Sequence, residues 1–166
     1  MLASHRWLRR CALACTSFVS MTTLLLVPGA TVGSADAAER VRERKIDRAL
    51  TVARRQIGDP YSYGAAGPGA FDCSGLTMFA YGKAGINLPR SSAAQASAVR
   101  RIPRQHMHKG DLMFFYDGGG VYHLGIFTGW DNGRRVILHS STPGRPVQTD
   151  RVWTSSWYAG TLRHRR

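Results

Sequence analysis

The sequence predicts an α+β domain in which N-terminal helices pack on an antiparallel sheet of about five to six strands. Two observations carry this prediction. Apolar residues recur at helical spacing in the N-terminal half, whereas the C-terminal half shows short alternating runs separated by turn residues. In addition, a chain of 166 residues without internal repeats or a linker has the length of one domain.

The first predicted helix spans residues 38–58. Apolar residues fall on one face at the spacing of an α-helix, and arginines and glutamates fill the other face. The run Gly58-Asp59-Pro60 predicts where this helix stops. The predicted packing face consists of Ile46, Ala49, Leu50, Ala53 and Ile57.

Two shorter helices follow a predicted loop. Residues 61–70 form the loop, because glycine, proline and tyrosine interrupt any periodicity. The second helix is predicted over residues 73–84. The third is predicted to run through residue 99, with Ser91 or Ser92 as its N-cap.

The second half of the chain predicts the sheet. Short runs rich in branched and aromatic residues alternate with polar residues, as strands do. The turns Gly118-Gly119-Gly120 and Asp131-Asn132-Gly133 are typical of hairpins. The strands are predicted at residues 111–116, 121–128, 134–140, 147–151 and 158–163.

Residues 1–37 have the layout of a secretory signal peptide. An arginine-containing start precedes an apolar stretch, and Ala35-Asp36-Ala37 fits a small-x-small cleavage site. The alternative is a membrane anchor, but polar residues interrupt the apolar run before the roughly 20 residues that a span needs. We therefore expect cleavage after Ala37, a mature domain of residues 38–166, and a location outside the cell, in the cell wall or the periplasm.

The net charge of +13 favours acidic partners. Nucleic acid is not an expected partner, because the basic residues are scattered and no nucleic-acid-binding motif occurs. Anionic cell-wall polymers suit an exported basic protein better, although the charge could also serve solubility alone. We expect a monomer without a stable membrane span after cleavage.

Cys73 is the residue that most directly suggests chemistry. Cleavage after residue 37 would remove Cys11 and Cys15 and leave a lone thiol in an exported chain, which cannot be half of an internal disulfide. If Cys73 opens its predicted helix, nearby backbone N–H groups and the helix dipole would lower the pKa of the thiol. That would favour the nucleophilic thiolate.

His123 and His139 lie in neighbouring predicted strands, and one of them could supply the base that a thiol nucleophile needs. Alternation predicts that His123 shares a strand face with Val121 and Gly125, and that Gly125 leaves space for a substrate. His139 could fix the tautomer of His123, as an aspartate or asparagine does in other triads. Other candidates for that role are Ser140, Ser141 and a backbone carbonyl.

Two alternatives without catalysis remain for these residues. Cys73 could be a buried structural thiol, because free cysteine often behaves as a small apolar residue. Cysteine and histidine could also bind zinc, but the sequence offers no clear fourth ligand and no short paired ligand spacing. We expect neither a metal nor another cofactor.

Five sequence blocks together resemble the NlpC/P60 family. They occur in the family's order from about residue 49 to residue 162, which is nearly the whole predicted mature chain. Five blocks in register are far more specific than any single one. The blocks are residues 58–76, residues 88–95, residues 109–115, and the histidine-containing segments 123–126 and 137–140.

The resemblance implies a papain-like α+β fold and a Cys-His-His triad. Cys73 would be the nucleophile, His123 the general base and acid, and His139 the residue that orients His123. Tyr61 matches a tyrosine that supports the oxyanion in relatives. The positions that match the family's substrate cleft are Asp72, Ser74, Arg90 and Ser91.

The resemblance also implies an activity. It indicates a cysteine endopeptidase that cleaves the stem peptides of bacterial peptidoglycan through a thioacyl-enzyme intermediate, most often at the D-γ-glutamyl–diamino acid bond. One alternative is a non-catalytic wall-binding module of the same fold. Another is an amidase or acyltransferase that acts on a different amide or on a lipid. Cys73, His123 and His139 together favour the enzyme, because a binding module has no need of all three.

Overall fold

The computed structural model describes residues 30–164. Within them, helices cluster at the N-terminal end and a six-stranded antiparallel sheet follows, so the predicted α+β class is confirmed. The helices are α1 (Ala30–Arg54), α2 (Cys73–Lys83) and α3 (Ser92–Ala98), with a 3₁₀ turn at Arg104–His106. The strands are β1 (Arg100–Ile102), β2 (Leu112–Asp117), β3 (Gly120–Asp131), β4 (Arg134–His139), β5 (Gln148–Arg151) and β6 (Trp157–Thr161).

The strands lie side by side in the order β1-β6-β2-β3-β4-β5. The hairpin β3–β4 turns at Asn132 and Gly133, whose φ angles of 47° and 73° are those that the predicted hairpin turn requires. This hairpin carries His123 on β3 and His139 on β4. Its register therefore decides whether the two imidazoles meet.

The sheet separates two apolar clusters. On one face Leu112, Leu124 and Leu138 pack against the helices, including Ile46 of α1 and Leu76 of α2. Each large apolar side chain buried there stabilises the fold by about 1.5–3 kcal/mol. The other face carries a smaller cluster that irregular segments cover instead of helices. Its buried members are Met113, Phe115, Phe127, Ile137, Trp157 and Ala159.

Helix α1 differs from its prediction at both ends. It begins at Ala30, eight residues before the predicted start. It ends at Arg54, after which the chain tightens into turns, and Gly58 adopts a φ of 100°. Ile57 consequently leaves the predicted packing face and is 51% exposed.

The predicted signal peptide is described only in part. Residues 1–29 lie outside the described residues, and the predicted cleavage position after Ala37 lies within α1. None of the helices in residues 30–164 is both long enough and apolar enough to cross a membrane.

Strand β1 was missed by the sequence prediction. It has three residues, two of them arginines, and therefore carries no alternation signal. It forms at the sheet edge because it pairs with β6, where Arg101 lies opposite Gly160. Long-range pairing rather than local propensity creates this strand.

A bulge near the start of β3 overturns one predicted side-chain orientation. The register between β2 and β3 shifts between Phe115 and Tyr116, which pair with His123 and Val121 respectively. The extra residue sends Val121 to the helix-facing cluster, whereas His123 faces the ring of Phe115 on the other side. Val121 and His123 therefore do not share a face.

Candidate active site

Cys73 is the first residue of α2, as predicted, and lines a cleft of about 490 Å³. Asp72 caps the helix by accepting a hydrogen bond from the Gly75 N–H at 2.7 Å. The backbone N–H groups of Leu124, Ser74 and Cys73 itself favour the thiolate. Because Leu124 follows His123 on β3, the thiol lies against the strand that carries the first histidine.

Burial outweighs these donors. Desolvation raises the pKa of the Cys73 thiol above its ordinary value of 9.0, and the nearby Asp72 carboxylate adds to the increase. The prediction that the helix N-terminus lowers the pKa of this thiol is therefore wrong in its net direction. The raised pKa favours the neutral thiol over the thiolate in the free protein.

His123 and His139 are in direct contact. His123 Nε2 and His139 Nδ1 lie 2.8 Å apart, and both rings are buried. A Cβ atom at Gly125 would lie 3.1 Å from the Cβ atom of His139. Gly125 therefore makes room for the second histidine, and the prediction that it leaves space for a substrate is wrong.

Asp150 extends this pair and was missed by the sequence analysis. Its Oδ2 lies 2.8 Å from His139 Nε2, and Arg145 and Gln148 donate hydrogen bonds to the same carboxylate. Asp150 lies on β5 opposite Ile137, two residues before His139 on β4. The signal that could have found it was an aspartate in the strand that follows the second histidine strand.

The hydrogen-bond chain determines the tautomers of both histidines. Burial would raise the pKa of Asp150, but hydrogen bonds from His139 and Gln148 lower it, so the carboxylate is ionised and accepts from His139 Nε2–H. Burial lowers the pKa of His139, and burial together with His139 lowers the pKa of His123 to about 3. A neutral His139 then accepts from His123 Nε2–H, which leaves Nδ1 of His123 unprotonated and able to act as a base.

Tyr61 also lies at the cleft, near the thiol. Burial raises the pKa of its hydroxyl, and the neighbouring Cys73 and Asp72 add to the increase. The hydroxyl therefore stays protonated and can donate a hydrogen bond. The cleft therefore contains a hydroxyl donor as well as the thiol.

The four predicted substrate-binding residues all line this cleft. Three of them form one hydrogen-bonded group. Arg90 donates to both carboxylate oxygens of Asp72, and it also donates to the Ser74 hydroxyl at 2.9 Å. Burial would raise the pKa of Asp72, but its bonds to Arg90 and to the Gly75 N–H lower it. Ser91 caps α3 by accepting from the Ala94 N–H at 3.2 Å. These contacts brace the wall of the cleft around Cys73.

Gly75 holds α2 against the loop that carries Tyr61. A Cβ atom there would lie 2.0 Å from the Ala65 carbonyl oxygen, which belongs to the backbone and cannot swing away. We expect Gly75→Ala to lower the free energy of unfolding by about 1–3 kcal/mol through overpacking. Urea denaturation followed by circular dichroism measures this loss.

Gly82 is the matched control, because it lies on the same helix and a Cβ atom there would point into open space. We expect Gly82→Ala to be neutral or to stabilise the helix by up to about 1 kcal/mol. Equal losses in the two variants would contradict the close contact between α2 and the loop.

Within residues 30–164, no group of three or more histidines, cysteines, aspartates or glutamates is arranged to hold a metal ion.

Comparison with known families and proteins gives a consistent result. The model of the NlpC/P60 family matches residues 58–166. Over 108 residues the chain is 40% identical to a Listeria monocytogenes protein named probable endopeptidase p60, a match that covers 65% of this chain and 21% of that protein. The chain thus spans about a fifth of the length of the Listeria relatives that it matches.

Two solved structures from Mycobacterium tuberculosis share the fold. The peptidoglycan hydrolase RipB superposes with a TM-score of 0.66 and 25% identity, over 82% of this chain and 74% of that one. RipD, described as a non-catalytic NlpC/p60 domain protein adapted to peptidoglycan binding, superposes with a TM-score of 0.59 and 30% identity. That match covers 71% of this chain and 97% of that one.

Proposed function

The chain belongs to the NlpC/P60 family, and from this membership and the geometry of the cleft we propose that it is a cysteine endopeptidase. Membership confirms the resemblance seen in the sequence and the papain-like α+β fold that it implied. Membership in this family supports the assignment of the chain as a peptidoglycan hydrolase. The nucleophile, the bond cleaved and export from the cell are parts of our proposal.

One observation carries the catalytic interpretation. A hydrogen-bond chain runs from Asp150 through His139 to His123, and His123 lines the same cleft as Cys73. This chain leaves a basic nitrogen on the ring that shares the cleft with the thiol. A buried structural cysteine would need no such arrangement.

The proposed reaction begins with attack of Cys73 Sγ on the carbonyl carbon of the stem peptide. The thiol proton moves to Nδ1 of His123 as the S–C bond forms, and the carbonyl electrons move to the oxygen. The Cys73 N–H and the Tyr61 hydroxyl donate hydrogen bonds to this oxyanion. His139 and Asp150 hold the His123 ring in the position and tautomer that leave Nδ1 free to accept this proton.

The intermediate then collapses to a thioester. The C–N bond breaks, and the proton held by His123 passes to the departing amine. Water next attacks the thioester while His123 accepts its proton. Cleavage of the C–S bond releases the new carboxylic acid, and the thiolate recovers its proton from His123. Asp72, Ser74, Arg90 and Ser91 contact the substrate along the cleft wall in this proposal.

Digestion of purified peptidoglycan tests the function. We expect the protein to release peptide fragments whose masses correspond to cleavage between D-glutamate and the diamino acid. Mass spectrometry identifies the bond, and cleavage at another amide would redirect the proposal to an amidase. Transfer of the acyl group to an added amine instead of water would indicate an acyltransferase. Undigested peptidoglycan would reject hydrolysis.

The second candidate is a non-catalytic wall-binding module. It is favoured by the likeness to RipD, which is described as adapted to peptidoglycan binding. Binding to peptidoglycan without release of fragments would support this candidate. In either case we propose that residues 1–37 direct export, that residues 38–166 form the working domain, and that anionic wall polymers attract its basic surface.

The protonation state of Cys73 gives a pH prediction. Iodoacetamide reacts with the thiolate, so below the thiol pKa its rate falls about tenfold for each pH unit. Since the pKa of Cys73 is raised above 9.0, we expect the alkylation rate to keep rising beyond pH 9. Mass spectrometry of the peptide that contains Cys73 measures the rate, with the urea-unfolded protein as the control. A constant rate between about pH 6 and 8 would instead indicate a thiolate–imidazolium pair.

A further inference from the structure

A second groove lies on the sheet face that no helix covers. It has a volume of about 340 Å³ and combines tryptophan rings with guanidinium groups. A smaller cavity of about 160 Å³ lies between this groove and the Cys73 cleft. It shares Trp153 with the groove, and it shares Tyr122, His123 and Ser141 with the cleft. We call the larger space, of about 340 Å³, the tryptophan–arginine groove. Its main lining residues are Arg104, Trp130, Arg134, Arg135, Trp153 and Trp157.

Two of the three tryptophans that line this groove are accessible, whereas Trp157 is buried. Trp130 is 59% exposed and Trp153 is 49% exposed, although Trp153 stacks on Phe115 with ring centroids 4.7 Å apart. Large aromatic rings gain most from burial, so two of them exposed in one groove mark a binding surface. Exposed aromatic faces accept the apolar faces of sugar rings.

The arginines of the groove have no acidic partner. In the described part of the chain, Arg104, Arg134 and Arg135 form no ion pair, and each instead donates to backbone carbonyl oxygens. Three guanidiniums are therefore held in place by backbone carbonyl oxygens, without an ion-pair partner.

Arg135 occupies the centre of this arrangement. Its guanidinium lies 4.3 Å from the Trp130 ring centroid and 5.2 Å from that of Trp157, which also contacts Arg104 at 4.2 Å. Its Nε is buried without a hydrogen-bond partner. Burial, and secondarily the charge of Arg104, lowers the pKa of Arg135. An anion bound in the groove would offset the repulsion between the Arg104 and Arg135 guanidiniums.

We propose that the tryptophan–arginine groove binds a phosphate-bearing sugar polymer of the cell wall and thereby holds the protein on its substrate. Sugar rings would pack on Trp130 and Trp153, and phosphate oxygens would accept hydrogen bonds from Arg134 and Arg135. Phosphate is favoured over carboxylate because the groove places charge and ring surface side by side. A sugar–phosphate chain repeats that pairing, whereas the carboxylates of peptidoglycan lie on its peptides.

The choice of a wall polymer rests on the proposed function, because the groove adjoins the Cys73 cleft across the smaller cavity. Binding is therefore measured with the Cys73→Ala variant, which cannot digest its target. Digestion is measured separately with Cys73 intact, on peptidoglycan stripped of phosphate polymers. If one of the two proposals fails, the experiment that tests the other can still be interpreted.

The test is cosedimentation with two forms of one purified cell wall. One form retains its phosphodiester-linked sugar polymers, and the other has been extracted with hydrofluoric acid to remove them. We expect the Cys73→Ala protein to bind the unextracted wall on the order of tenfold more tightly. Equal binding to both forms would overturn the proposal, because it would assign the contact to the peptidoglycan itself.

A matched pair of charge variants locates the contact. Arg134→Gln/Arg135→Gln removes two groove charges, and Arg54→Gln/Arg55→Gln removes two exposed charges at the end of α1. We expect the groove variant to lose about tenfold in affinity for unextracted wall and the control less than about twofold. Equal losses would overturn the proposal in favour of a general charge effect.

Trp130→Ala provides a readout that does not depend on charge. The ring is largely exposed, so its removal leaves the buried cluster in place, and thermal unfolding verifies the fold. We expect a loss of about fivefold on unextracted wall and no change on extracted wall. Unchanged binding to both, or tighter competition by a single-stranded oligonucleotide than by the wall polymer, would overturn the sugar-polymer assignment.

Discussion

Replacing Cys73 with alanine abolishes the release of peptides from purified peptidoglycan, with an expected loss of at least about 10³-fold in rate. The loss is this large because the thiol that accepts the acyl group in the first step is gone. Cys73→Ser is expected to lose nearly as much, because a serine hydroxyl is far less acidic than a thiol and His123 is a weak base, with a pKa of about 3. Chromatography of the soluble fragments measures the rate.

Two controls separate chemistry from folding and binding in this experiment. Ser97→Ala changes an exposed residue of α3 and should digest at the wild-type rate. The Cys73→Ala protein should still sediment with peptidoglycan, because its cleft wall of Asp72, Ser74 and Arg90 is intact. Undiminished digestion by Cys73→Ala would reject the thiol mechanism.

His139→Ala is expected to lower the rate of digestion by about 10²–10⁴-fold while leaving more activity than Cys73→Ala. Without its partner at 2.8 Å, His123 can rotate or place its proton on Nδ1, where it could no longer accept the thiol proton. The substrate and the thiol remain in place, so part of the activity is retained. A comparison of kcat with KM checks this, because a positioning role lowers kcat and spares KM.

The same relay predicts the effect of replacing Asp150, alone and together with His139. Asp150→Ala should cost about 10–100-fold, because it acts on His123 only through His139. If both residues belong to one relay, the double variant should be no slower than His139→Ala alone. Asp131→Ala is the matched control, since this aspartate of the same sheet pairs with Arg151. Additive losses for His139 and Asp150 would contradict the relay.

The two histidine strands show how far local sequence patterns reach. Period-2 alternation placed both histidines on neighbouring strands, and they are neighbours. The same alternation misplaced Val121, because a bulge between paired strands depends on the partner strand. Gly125 was interpreted as open space, but the space beside it holds His139. Local patterns do not reveal what another strand places opposite a residue.

Local sequence patterns were sufficient to predict the three α-helices and five of the six strands of the described residues, the position of Cys73 at the start of α2 and the two histidines that contact each other. Those features follow from spacing, capping and motif identity, which are local properties. Three features became visible only in the folded chain: Asp150 completes the relay, burial raises the pKa of Cys73, and Trp130, Trp153 and Arg135 share a groove. Desolvation, hydrogen-bond partners and uncompensated charge arise between residues far apart in the chain, so they exist only once the sheet has formed.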